Sequence, residues 1–156
     1  MLFKNKDDRR VFELITGIQL YSERLIQQKL KKLNITAPQF RTMTLLYQKD
    51  NLTQREFANI IEADTTTVMV LCDSLEKKGW LKRVSDPNDR RANRLFLTDT
   101  GKHILAQALP LIQALYDQHA LAKISNEELE AALPVLEKLY ANIRTAFAEE
   151  TTEKKH

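Results

Sequence analysis

The sequence predicts a mainly α fold with one small β-hairpin. Three observations predict it. Apolar residues recur at helical spacing through most of the 156-residue chain. Helix-start signals built on Ser, Thr or Asp precede those runs. One stretch, "RVSDPNDRRANRLFLTDTG" from Arg83 to Gly101, departs from the pattern, with a Pro-Asn turn between two short runs of β-favouring residues.

The first helix is predicted from about Arg9 to Leu33, because Val11, Leu14, Ile18, Tyr21 and Leu25 share one face. "NITAPQ" breaks it. A shorter helix follows, with Phe40, Met43 and Leu46 on one side. "LTQREFANII" opens with a capping box, Thr53 with Glu56, and Leu52 and Phe57 are placed as its hydrophobic staple. "EADTTT" is a turn and a fresh start, capped by Asp64 or Thr65. The next helix buries Val68, Leu71, Cys72 and Leu75. Lys77 and Lys78 suit its negative end, and Gly79 suits the left-handed position beyond it.

A strand near Trp80–Val84, a turn at Ser85–Asp89 and a strand at Asn93–Leu97 make the hairpin. Leu95 and Leu97 face one side, Arg94 and Phe96 the other. "LTDTG" restarts helix, with Thr98 as cap. That helix reaches about Ala120, and Pro110 should kink it. Ser125 and Glu128 form another capping box. The last helix carries Leu129, Leu133, Leu136, Tyr140, Ile143 and Phe147 at alternating spacings of four and three, the seam of helix-on-helix association.

Composition narrows the function classes. At 43% hydrophobic and 29% charged, the chain can bury a core and stay dissolved. No apolar run approaches 18 residues, and the N-terminus lacks the apolar region of a secretory signal. Cys72 is the only cysteine, which suits a reducing, cytoplasmic setting. No nucleophile elbow, phosphate-cradling glycine loop or metal-ligand pair is present, so neither an enzyme nor a cofactor is expected. Net charge is only +3 but unevenly placed: +5 over 1–48, −4 over 49–76, +4 over 77–119 and −2 over 120–156.

Two short helices joined by a tight turn, the second opening on Thr65, Thr66 and Thr67, form a helix-turn-helix. In that motif the second helix enters the major groove. A Thr hydroxyl can bond a base edge, and its methyl can meet a thymine methyl. A hairpin after the motif makes it a winged helix, and arginines at the hairpin tip can reach the minor groove. The DNA-binding candidates are Thr53 and Gln54 at the start of the first helix of the pair, and Thr65, Thr66, Thr67, Val70, Ser74 and Lys77 on the second. Arg83, Asp89, Arg90 and Arg91 complete them from the wing. The competing reading is a winged-helix protein–protein module without DNA affinity.

On these residues the chain resembles the MarR family of transcription regulators. "DPNDRRANRLFLTDTG" looks like that family's wing followed by its Leu-Thr-x-x-Gly entry to the next helix, and "TTTVMVLCDSLEKKGWLKR" looks like its recognition helix and first wing strand. "ITAPQF" resembles the start of the family's second helix. The resemblance implies a homodimer on double-stranded, pseudo-palindromic DNA, most often a repressor released by a ligand. It makes Arg91 the minor-groove finger and Asp89 the residue that orients it or a neighbouring arginine. It implies dimerisation through 1–33 and 98–148 and a winged helix-turn-helix over 34–97; the tail at 149–156 is expected to be disordered. Val11 and Leu14 would join Leu129, Leu133, Leu136, Tyr140 and Ile143 in the interface. A small aromatic acid would contact Tyr21, Phe40, Met43 and His103, though these aromatics serve equally as core. One departure stands out: the outward face of the recognition helix carries Thr66, Met69, Val70 and Asp73, with no arginine.

Overall fold

A computed structural model describes residues 5–89 and 91–153. The chain divides into two compact units, Met1–Leu115 and Tyr116–His156. In the first, α1 (Lys6–Leu30) is capped by Asn5, whose side chain accepts the Asp8 N–H. A 3-10 turn at Lys31–Leu33 closes on Asn34, which takes the left-handed conformation at φ 54°. α2 (Ala37–Gln48) then starts on a capping box between Thr36 and Gln39 that the sequence reading passed over. α3 (Gln54–Ile61) opens on the predicted Thr53–Glu56 box, and Asp64 caps α4 (Thr65–Lys77).

The end of α4 shows why Gly79 stands where it does. Its φ is +70°, and its N–H bonds the Glu76 carbonyl while the Trp80 N–H reaches back to Leu75. This paired closure satisfies carbonyls that the helix leaves open, and glycine adopts the required conformation without a Cβ penalty.

The hairpin, β2 (Leu81–Ser85) with β3 (Asn93–Leu97), gains a third strand. β1 (Leu52–Thr53) pairs antiparallel with β3, Leu52 opposite Leu95, giving the order β1-β3-β2. Leu95 and Leu97 are buried, as the alternation predicted. The wing therefore grows out of a sheet anchored beneath the helix-turn-helix.

α5 (Asp99–Leu115) leaves the sheet through Thr98. The Thr98 N–H bonds the Trp80 carbonyl, its hydroxyl donates to the Gly79 carbonyl, and the Gly101 N–H donates to the hydroxyl oxygen. A Cβ on Gly101 would lie 2.1 Å from the Trp80 oxygen, so only glycine fits this approach. The core of the unit joins all these elements, with Leu30, Met43, Phe57, Leu75, Leu95 and Leu105 fully closed off. Each such side chain contributes roughly 1.5–3 kcal/mol of burial.

In the second unit a π-helical turn, Tyr116–Ala120, replaces the α-helix predicted to reach Ala120. α6 (Asn126–Glu153) begins on the predicted Ser125–Glu128 box. It runs through Pro134 to Glu153, into the stretch from 149 expected to be a disordered tail. No helix among the described residues is long and apolar enough to cross a membrane.

Candidate nucleic-acid interface

Three elements converge on one groove of about 830 Å³. α3 supplies Thr53, Gln54 and Arg55, α4 supplies Thr65 and Met69, and the wing supplies Asp89 and Arg91. The N-termini of α3 and α4 both open onto it, and its lining sets Arg55, Arg91 and Arg94 beside Glu56, Asp64, Asp86 and Asp89.

Local chemistry fixes each wall. Thr53 accepts the Glu56 N–H at 3.1 Å and donates its own hydroxyl and N–H to the Glu56 carboxylate at 2.8 and 2.7 Å. Those bonds, the backbone one first, hold the Glu56 carboxyl below its ordinary range. At the α4 start, Asp64 accepts both the N–H and the hydroxyl of Thr67 at 2.8 Å. Thr67 thus serves the cap, while Thr65 and Thr66 stand exposed.

The wing turn is held by two aspartates. Asp89 accepts the Arg91 N–H at 2.9 Å, so it places Arg91 through the main chain rather than through its guanidinium. The aspartate that pairs with an arginine is Asp86, which sequence reasoning missed. It is 5% exposed, accepts the Asn88 N–H at 2.8 Å and lies 2.7 Å from Arg94 Nη2. Arg94 also donates to the Asn51 carbonyl at 2.9 Å, tying the wing base to the loop before β1. A Pro-containing turn preceded by Asp was the signal that could have flagged Asp86. Arg91 is exposed beside the groove; Arg90 lies outside the described residues.

Several candidates occupy other places. Arg83 turns away from the groove and lies 2.6 Å from both Asp73 and Glu76 of α4, with its side chain 17% exposed. Ser74 faces α2, bonded to Gln39 at 2.5 Å. Lys77 and Val70 are exposed on α4. Phe40 and Met43 sit in the core, at 8% and 0% exposure, and present no wall to a ligand. Tyr21 and His103 remain exposed. Val11, Leu14, Leu133, Leu136, Tyr140 and Ile143 are all large apolar side chains on the surface, and Leu129 is half-buried. Cys72 is a core filler: it is fully buried, and desolvation pushes its thiol up to about 11.

Known proteins share this arrangement. The MarR family profile matches residues 35–92, from just before α2 to the turn of the wing. The chain is 29% identical to the transcriptional regulator HosA of Escherichia coli O111:H- over 124 residues, 78% of this chain and 89% of that one. It is 27% identical to the multiple antibiotic resistance protein MarR of Escherichia coli K12 over 126 residues, covering 81% and 88%. Among solved structures, a cysteine-to-serine mutant of E. coli MarR complexed with operator DNA superposes with a TM-score of 0.77 at 26% identity, over 83% of this chain and 93% of that one. The S. aureus MepR–DNA complex does so with a TM-score of 0.78 at 28% identity, over 83% and 96%. With residues 35–92 matched by the family profile and four fifths of its length shared with these relatives, the protein is similar in sequence and fold to the MarR family of transcriptional regulators.

Proposed function

We propose that the protein binds double-stranded DNA as a homodimer and represses transcription from a pseudo-palindromic operator. The observation that carries this is the convergence of the α3 and α4 N-termini with Arg91 of the wing on one groove. The solved relatives bound to DNA share that architecture. In the proposed complex α4 occupies the major groove, Arg91 reaches the neighbouring minor groove, and Thr53, Gln54 and Lys77 meet the backbone. Dimerisation through α1 and α6 sets two recognition helices at successive major grooves, about 34–36 Å apart.

A small aromatic acid releases the repressor in this reading. It acts by binding the free geometry more tightly than the DNA-bound one. Of the four residues first placed in its pocket, Tyr21 and His103 have the exposure to touch it. Titration of duplex DNA at several salt concentrations tests the core of the proposal. Wild type should show a steep linear loss of affinity with salt, and Arg91→Ala should reduce the slope by roughly 0.9, one phosphate contact. A salt-independent or absent interaction would leave a protein–protein module instead.

A further inference from the structure

We propose that α4 reads thymine 5-methyl groups in the major groove through Met69 and Val70, so that the operator is specified by methyl contacts rather than by arginine–guanine pairs. This rests on the DNA-binding reading above and adds what the recognition helix reads.

The outward stripe of α4 is Thr66, Met69, Val70 and Asp73, opposite the buried Val68, Cys72 and Leu75. Met69 and Val70 are 49% and 59% exposed, an apolar pair left open by the described residues. No Lys or Arg occurs from Thr65 to Glu76, and no Asn or Gln either. The residue types that read guanine and adenine are therefore missing from the helix ahead of its last residue, Lys77. Among the described residues, the guanidinium bonded to the helix is that of Arg83, engaged by Asp73 at 2.6 Å, Glu76 at 2.6 Å and the Met69 carbonyl at 3.4 Å. It cannot turn to a base without breaking both ion pairs.

What remains on that surface is methyl and hydroxyl chemistry. In the major groove only thymine presents a methyl group among the four standard bases. Met69 lines a groove that carries Arg55, Arg91 and Arg94 together with Glu56, Asp64, Asp86 and Asp89. A duplex is the occupant because solved relatives of the same architecture are bound to DNA.

The test uses the full-length protein and an operator it selects from a pool of random duplexes. Each thymine is then replaced by deoxyuridine, which removes the methyl and leaves the pairing edge intact. Two or more positions per half-site should lose roughly fourfold in affinity each, the value of one buried methyl-sized group. Met69→Ala and Val70→Ala should bind the thymine operator more weakly and lose discrimination between thymine and uracil at the matching positions. Val70→Thr, which keeps a methyl, should retain part of it. Both positions are exposed, so the variants should melt like wild type. Equal affinity for thymine and uracil operators, or full discrimination surviving in both alanine variants, overturns the proposal while leaving DNA binding intact. If no duplex is selected at all, the DNA-binding reading fails first and this one falls with it.

Discussion

Arg83 Nη2 lies 2.6 Å from Asp73 Oδ1, which ties the first long strand of the wing to the recognition helix. The same guanidinium holds Glu76 at 2.6 Å. Asp73 and Glu76 are both exposed on a helix proposed to approach phosphates. Arg83 is thus an internal counter-ion, and in the proposed complex it acts as a positioning residue. Arg83→Met should weaken duplex binding roughly ten- to thirtyfold, since two unmasked carboxylates each cost about 1 kcal/mol near a phosphate in water. Adding Asp73→Asn and Glu76→Gln should restore most of it. A merely structural role predicts no such rescue, so a triple variant as weak as Arg83→Met sinks the idea.

Gly101 and Gly17 should respond oppositely to alanine. The added Cβ at Gly101 would meet the Trp80 carbonyl oxygen at 2.1 Å and its carbon at 2.9 Å, backbone atoms fixed by the closure of α4. Gly101→Ala must push α5 off the sheet, at a cost of about 1–3 kcal/mol or more. At Gly17, within α1, nothing lies within 4 Å of the added atom. Gly17→Ala should stabilise by roughly 0.5–1 kcal/mol. Denaturant melts of the two variants check the pair; a Gly101→Ala protein as stable as wild type would contradict the packing.

These contrasts mark what a sequence reveals. The capping boxes at Thr53 and Ser125 were legible because both partners lie within one turn. Gly79 and the alternation of Leu95 and Leu97 were legible for the same reason. β1 was not: two residues have no period, and they become a strand only because Leu52 meets Leu95, far along the chain. The site follows the same rule. Thr65 and Arg91, which line the groove, stood in legible local patterns, a helix start and a turn. Arg83 resembled any other wing arginine until folding set Asp73 and Glu76 against it. Ser74 lay on the right helix, but its partner Gln39 is on another one. Phe40 and Met43 carry the aromatic and soft character of a pocket, and only their burial assigns them to the core.

Asp86 makes the wing sensitive to acid. Its carboxyl is held below the usual 3.8 by the Asn88 N–H and by Arg94. A depressed pKa means that its contribution is fully present above the ordinary carboxylate range and is lost as pH falls through the lowered value. At neutral pH, Asp86→Asn should therefore lower the melting temperature. Between pH 7 and pH 3 it should also reduce the loss of stability expected of wild type as pH falls below the ordinary carboxylate value of 3.8. Parallel melting curves for the two proteins across that range would remove Asp86 from the account. Its buried position facing Arg94 makes the asparagine variant costly even where protonation plays no part, because Arg94 loses its charge partner.

The surface of α6 carries the last prediction. Leu133, Leu136, Tyr140, Ile143 and Phe147 are 50–63% exposed, and none of the described side chains of the helix is buried. α1 exposes a comparable row, with Val11, Leu14, Ile18 and Tyr21 at 38–66%. Left in water, each large side chain forgoes about 1.5–3 kcal/mol of burial. A second copy of the chain would recover that energy along both helices. Light scattering should give twice 18.1 kDa at micromolar concentration. Leu136→Glu with Tyr140→Glu should halve the mass, because carboxylates in an apolar seam must be desolvated without a partner. The same variant should bind a full operator no more tightly than a half-site, since two linked recognition helices gain affinity only when they engage together. A chain ending at Lys123 should behave alike. A wild-type protein that scatters as a monomer, or a charged-seam variant that still prefers the full operator, would mean that these faces serve some other contact.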